Sequence, residues 1–456
     1  MLVFLSDLHF SDGTTSVNVH ETAFQNLFFP QISSAVKRKE KVKEIHLVLL
    51  GDIVDLVRTS WWFANVPDQK DRPWSSDNGL DKKTAMNPNT KKIESQYTDI
   101  LKNIFAQTSF DTFVNGLKAL ENENGKKVTV SYIIGNHDRV LHNFKPLRDM
   151  ITKKFYPIDI RFFNKCFLPE YGVIGRHGHE WDENCHSWEF SNKVLNKKKH
   201  IQRFQDGANK IMNLGEVITA ELMSGIIYYV SNNLDLDKKG DKNLLANLKN
   251  VNNLRPMTDV FFWLEWFAKD RIKKYKDLLC ESMRNALDSL LATNFAKLWD
   301  KIEVDFIVKG DLVDNLQWVN KILKKCDFDD FRSFVNSYTF LQKFTSFLKK
   351  NDEDLKSVQT EWETAEKDMS NIQYIVYGHT HESKHLCLSG NPEGKVKMYI
   401  NTGTFLPLIQ RTFDKKGFTT NNRMSFVFFY NKSEDPDNLN SPTVDYWETI
   451  KRKEYV

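Results

Sequence analysis

The stretch YIVYGHTHES, residues 374–383, runs through four apolar or aromatic residues into a glycine, then presents two histidines one residue apart. Such a run reads as a buried strand that ends abruptly. Along an extended chain His379 and His381 would point the same way. On a tight loop after Gly378 they can instead splay around a common centre. Imidazoles held that close repel if both are protonated, and become good neighbours when a cation lies between them. The reading therefore requires further strands of the same build and further ligands for a cation.

Both are present. LVFLSDLH (2–9), IHLVLLGDIVD (45–55), VTVSYIIGNHDR (128–139) and YGVIGRHGHEWD (171–182) each pair a β-rich run with a polar cluster directly behind it. KVKMYINTGTF (395–405) and SFVFFYN (425–431) read as further strands. Helical patterns such as ETAFQNLFFPQISSAVKRK (21–39) and YTDILKNIFAQTSFDTFVNGLKAL (97–120) separate the first three. The expected class is α/β, with helices packed on the faces of a sheet. In such sheets reactive groups gather on loops at the carboxyl ends of strands. From about residue 183 to 370 the pattern turns helical and strand signals become sparse. The expected organisation is a discontinuous α/β domain, residues 1–182 and 371–456, interrupted by a helical insertion or cap, residues 183–370.

The bulk composition narrows the class. Of 456 residues, 41% are hydrophobic and 13% aromatic, enough for a large core and far from a disordered chain. The 64 basic residues nearly balance 60 acidic ones, and a net charge of +4 neither demands nor excludes nucleic acid as a partner. Five scattered cysteines (Cys166, Cys185, Cys280, Cys326 and Cys387) lack CxxC spacing and read as free thiols of a reducing compartment. MLVFLSDLHF at the start reads as a first strand rather than a signal peptide. No run reaches the roughly 20 apolar residues of a membrane span. A cytoplasmic protein without an integral membrane segment is expected; oligomeric state is not legible.

The polar clusters form one set: Asp7 and His9; Asp52 and Asp55; Asn136, His137 and Asp138; His177 and His179; His379 and His381. Each follows an expected strand end, so all can converge on one rim. Mixed carboxylate, imidazole and amide-oxygen ligands suit Mn, Fe, Zn, Co or Ni, whereas a calcium cage uses oxygens only. The absence of cysteine argues against a structural zinc site. These ligands outnumber the needs of one tetrahedral ion. Two divalent metal ions sharing a bridging carboxylate would use them, an arrangement suited to phosphoryl chemistry.

In that order, DLH, GDIVD, GNHD, HGH and GHTH resemble the calcineurin-like metallophosphoesterase superfamily, over roughly residues 1–182 and 371–431. The resemblance implies a two-sheet sandwich flanked by helices. It assigns Asp7, His9 and His381 to one ion, Asn136, His177 and His379 to the other, and Asp52 to the bridge, with Mn²⁺ foremost among the metals. A bridging water polarised to hydroxide would attack phosphorus, and His137 would protonate the leaving group, oriented by Asp55 or Asp138. Within RHGHE the ligand is His177 or His179; relatives use the histidine before the glycine. Arg58, Arg139 and Arg176 flank the blocks as candidate phosphate clamps, with His179 beside them. NTGT (401–404) is expected to wall the site.

Phosphoprotein phosphatases of this superfamily carry Arg-Gly directly after GDxxD. Here LVR follows, so that monoester clamp is missing from its usual place. The expected activity is a phosphodiesterase acting on a nucleotide or nucleic-acid-like phosphoester. Hydrolysis of lipid-linked or nucleoside-diphosphate esters is the first alternative, and an inactive scaffold on the same fold the second. The tryptophans of TSWWFANVPDQKDRPWSS (59–76) would stack on a base or pack in the core. FFWLEWF (261–267) would meet a lipid or the core, and NKKKH (196–200) phosphates or solvent. Core and solvent are the expected readings. His142, His186 and His385 fit no block and read as ordinary surface or supporting residues.

Overall fold

The computed structural model describes residues 1–75, 80–195, 202–269, 271–301, 312–324, 331, 335, 358, 371–390, 396–435 and 442–455. Its apolar runs form two mixed sheets. In the first, β1 (Leu2–Leu5), β2 (Glu44–Leu50), β3 (Lys127–Ile133) and β4 (Asp159–Phe163) lie side by side in parallel. β11 (Phe418–Tyr430) runs antiparallel to β1 and also pairs with β10 (Pro407–Arg411) and β12 (Thr443–Tyr455). The second sheet has the order β5 (Cys166–Leu168), β6 (Val173–Gly175), β7 (Tyr374–Tyr377), β9 (Val396–Thr402) and β8 (Ser383–Gly390).

Side-chain alternation explains how the layers stack. Leu2 and Phe4 of β1, with Val48 and Leu50 of β2, meet Val173, Val376 and Ile400 of the second sheet in one buried cluster. Val3, Leu5, Leu47 and Leu49 point the other way, into the helical layer. Strands buried on both faces read as unbroken apolar runs rather than alternating ones. The helices outside are amphipathic. Helix Lys91–Phe105 opens on Thr90, whose hydroxyl accepts the Ile93 N–H, and buries Ile93, Tyr97, Ile100, Leu101 and Ile104. Helix Thr108–Asn124 stops at Gly125, which takes the left-handed conformation (φ 59°).

Where residues 183–370 are described they form helices joined by turns, with isolated β-bridges at Ile211 and Leu254 but no strand. They share one continuous hydrophobic cluster with the helices of residues 1–182. Phe63 stacks on Tyr228 at 4.9 Å, and Arg72 pairs with Glu221 at 2.7 Å. FFWLEWF belongs to this core: Phe261, Phe262, Trp263, Leu264 and Phe267 are buried, as are Trp62 and Trp74. NKKKH, Cys326 and most of residues 302–370 lie outside the described residues. No helix among the described residues is long and apolar enough to cross a membrane.

Candidate metal centre

The loops behind β1, β2 and β7 turn sharply. Asp7 (φ 52°), His9 (43°), Asp52 (53°), His379 (69°) and His381 (62°) all occupy the left-handed region, leaving only Ala85 and Lys415 as other non-glycine cases among the described residues. Each such residue costs on the order of 1–3 kcal/mol, so five gathered at strand ends mark a place where the fold over-determines local geometry. Two glycines let these loops meet. A Cβ on Gly378 would fall 2.6 Å from Asp7 Oδ2 and closer still to Ser6 Oγ, and one on Gly135 would strike Asp52. The GHTH loop lies directly on Asp7, which is why the strand at 374–377 ends on glycine.

Two groups of ligand-type atoms result. In the first, His9 Nε2 faces His381 Nε2 at 2.9 Å, and Asp7 Oδ1 lies 3.7 Å from the one and 3.4 Å from the other. Asp7 Oδ2 accepts the Ser6 hydroxyl and the His379 N–H, but buried Oδ1 has no hydrogen-bond partner. His9 Nδ1 is 2.8 Å from Asp55 Oδ2, which assigns the Nδ1 proton and leaves Nε2 as a lone pair. Burial, then the Arg58 charge, lowers the His9 pKa; burial, then Arg255, holds His381 well below its ordinary value. Both imidazoles are therefore neutral, as a metal ligand would have to be. A bare buried carboxylate oxygen beside two neutral imidazoles is costly to leave unpaired, and a cation among the three would satisfy it. The donor set fits one.

The second group contains Asp52, His177 and His379, with ligand atoms within 4.8 Å of one another. His177 Nε2 lies 3.2 Å from Asp52 Oδ2 and 3.1 Å from Asn136 Oδ1. Its Nδ1 donates to the Leu50 carbonyl at 2.6 Å, the outer contact that orients a ligating imidazole. Burial opposes a proton on His177, but Asp52 overrules it and raises the pKa to about 10. Asp52 Oδ2 is also 3.8 Å from His9 Nε2, so one carboxylate oxygen faces both groups. His179 sits one ring further out, 5.2 Å from His177 between centroids, with Nδ1 3.4 Å from Glu180.

His137 lies beside the first group, its ring 4.7 Å from that of His9. Its backbone N–H donates to Asp52 Oδ1, and its Nδ1 is 3.0 Å from Asp55 Oδ2. Asp55 is the carboxylate facing this imidazole. Asp138 instead accepts the Gly135 and Ile53 N–H groups and the Tyr132 hydroxyl, which brace the loop. Asn401 donates to the Gly378 carbonyl and Thr404 to that of Asp7, so NTGT backs both ligand loops.

The flanking arginines differ. Arg139 spends all five donors on Glu216, Asn87, Asn143 and the Lys210 carbonyl, which leaves none for a phosphate. Arg176 lies over Phe204, 4.1 Å from the ring centroid, with Nη1 3.9 Å from Glu180. Arg58 is buried, with Nε 3.1 Å from Asp55 Oδ2. Arg255, from the insertion, enters unannounced: its Nη2 is 2.6 Å from Nε2 and 2.9 Å from Nδ1 of His381. Nothing in NNLRPMTD distinguishes it from an ordinary surface arginine. Asp182 and Cys185 join His379 in a further cluster at the rim. A cavity of about 170 Å³ opens beside His381.

No model of a known protein family matches the chain, and no curated protein or solved structure matches it either.

Proposed function

We propose that this chain is a metal-dependent phosphoester hydrolase of the calcineurin-like metallophosphoesterase type, with two divalent ions and residues 183–370 as its cap. Asp7, His9 and His381 would hold one ion; Asn136, His177 and His379 the other; Asp52 would face both. The supporting observation is Asp52 Oδ2, placed between two separate sets of ligand atoms. Oxygen and nitrogen donors without thiolate suit Mn²⁺ first, and also Fe, Zn, Co or Ni. When bound, such a pair supplies Lewis acidity toward phosphoryl oxygens and lowers the pKa of water.

The chain's own residues do the rest. Asp55, against Nδ1 of His137, turns that ring so that Nε2 can deliver a proton. Hydrolysis consumes one water: its oxygen bonds to phosphorus, the ester P–O bond breaks, and His137 protonates the departing alkoxide. Asp52 orients His137 through the backbone N–H it accepts.

The test is metal content and turnover together. Purified protein, dialysed against Mn²⁺, should retain about two ions per chain and hydrolyse p-nitrophenyl or bis-p-nitrophenyl phosphate. Asp52→Asn should lose affinity for metal by more than the roughly 10–100-fold typical of a lost outer partner, and should lose turnover with it. Protein that takes up no transition metal, or that holds metal yet is as inert as Asp52→Asn, would establish the scaffold reading instead.

A further inference from the structure

We infer that Arg255 of the insertion and Arg58 of the α/β core together clamp a terminal phosphoryl group, and that the cavity beside His381 receives a small hydroxylated alcohol, making the substrate a compact phosphomonoester. This rests on the hydrolase reading above and names its substrate class.

Arg58 is 1% exposed, and its Nη1 has no hydrogen-bond partner although Nε lies near Asp55. A buried guanidinium with an idle edge is costly until an anion meets it. Asp55 Oδ2, beside Arg58 Nε, also meets His9 Nδ1, and Arg255 lies on His381, the ring that faces His9. The Arg255 backbone N–H donates to the Ile409 carbonyl at 2.9 Å, and Nη1 donates to the carbonyls of Leu254 and Asn252. No carboxylate pairs with it among the described residues. Near-equal distances to both nitrogens of His381 put Nη2 over the ring face rather than on the Nε2 lone pair. The lone pair stays available to a cation while the guanidinium borders the same space.

Charge then selects the ester. A terminal phosphoryl carries about two negative charges on three non-bridging oxygens, enough for two guanidinium groups as well as metal. A diester has a single charge and two such oxygens. The clamp missing from its usual place after GDIVD is thereby supplied in part by the insertion, which argues against the expected diester.

The cavity sets the size. About 170 Å³ is small beside the roughly 300–1,000 Å³ of ordinary ligand pockets, too small for a nucleic-acid strand or an acyl chain. Glu382, Ser383, Thr404, Ser425, Gln410 and Arg423 supply its polar lining beside His381. The three hydroxyls already donate their protons, to Glu448, the Asp7 carbonyl and the Thr402 carbonyl. Thr404 Oγ1 also accepts the Leu406 N–H, and the lone pairs that remain, with the Glu382 carboxylate, suit a ligand rich in donors, as a small polyol is.

The test compares Mn²⁺-loaded wild type, Arg255→Ala and Arg255→Lys on glycerol phosphate, a 5′-nucleotide and bis-p-nitrophenyl phosphate, with calorimetric titration of inorganic phosphate and metal analysis. Wild type should favour glycerol phosphate over both other esters. Arg255→Ala should keep its metal, weaken phosphate binding and raise KM for glycerol phosphate by about tenfold or more, a larger loss than the diester shows. Arg255→Lys should recover part of the loss, since it restores charge without the fork. Unchanged phosphate binding in folded Arg255→Ala, equal losses on both ester classes, or a wild-type preference for the diester or nucleotide would overturn the proposal. If no ester turned over while phosphate binding still depended on Arg255, the clamp would stand and the hydrolase reading would fall.

Discussion

At the scale of single residues, His137 shows how far neighbours define a role. Its Nδ1 points at Asp55, and its backbone N–H holds Asp52 in place. A proton donor matters in proportion to how badly the leaving group needs the proton. His137→Ala is therefore expected to slow hydrolysis of an alkyl ester by about 10²–10⁴-fold, yet to leave p-nitrophenyl esters nearly untouched, because that oxyanion departs unprotonated. Equal losses on both, measured as kcat, would reduce the His137 ring to packing against His9 and Asp55. All the candidate ligands were legible, since paired Asp and His residues behind apolar runs leave a pattern. That His177 rather than His179 lies against Asp52 was not, because its ring is held by the Leu50 carbonyl, 127 residues away from His177. Arg139 misled for the same reason: adjacency to a block says nothing of the partner that will saturate a guanidinium.

Elements were read unevenly. The parallel strands β1, β2, β3, β6 and β7 announced themselves because most of their residues are buried, whereas β4, parallel but largely exposed as DIRFF, did not. β8, largely exposed as SKHLCLSG, and β12, charged along TVDYWETIKRKEY, carried no apolar run to find. β12 nevertheless pairs with β11 along nearly all of its length, held by a partner rather than by its own composition. The insertion shows the same dependence. Its tightest recorded tie to the GNHD loop is Arg139–Glu216, a buried pair with Nε–Oε2 at 2.7 Å. Removing one member strands the other charge, so Glu216→Ala should cost about 3–5 kcal/mol in denaturant unfolding. Replacing both, as Arg139→Met with Glu216→Leu, should recover most of that loss. If the double variant were as unstable as the single one, the pair would be contributing shape rather than compensated charge.

Over the whole molecule, acid sensitivity follows from how many imidazoles the fold keeps neutral. His46, His142 and His186 lie outside the proposed ligand set, and burial is the leading cause lowering each of their pKa values. For His142, burial and then Arg139, Arg148 and Lys210 bring the value to about 3. The unfolded chain would protonate the same ring near 6.5. Between those values the unfolded state binds more protons than the folded one, so stability rises with pH and is lost on acidification. Each such histidine contributes a slope of up to about 1.4 kcal/mol per pH unit. His142→Gln removes one of these groups while keeping a polar side chain. Its melting temperature should therefore fall less than that of wild type between pH 6.5 and 4.5, in metal-free buffer where the ligand histidines behave alike in both proteins. Parallel curves would mean that His142 is solvated and protonates as freely in the folded protein as in the unfolded chain. Composition counts twelve histidines but cannot say which are neutral. Only the packing of Arg139 against the insertion, with Arg148 and Lys210 beside it, surrounds His142 with the cations that keep a proton away.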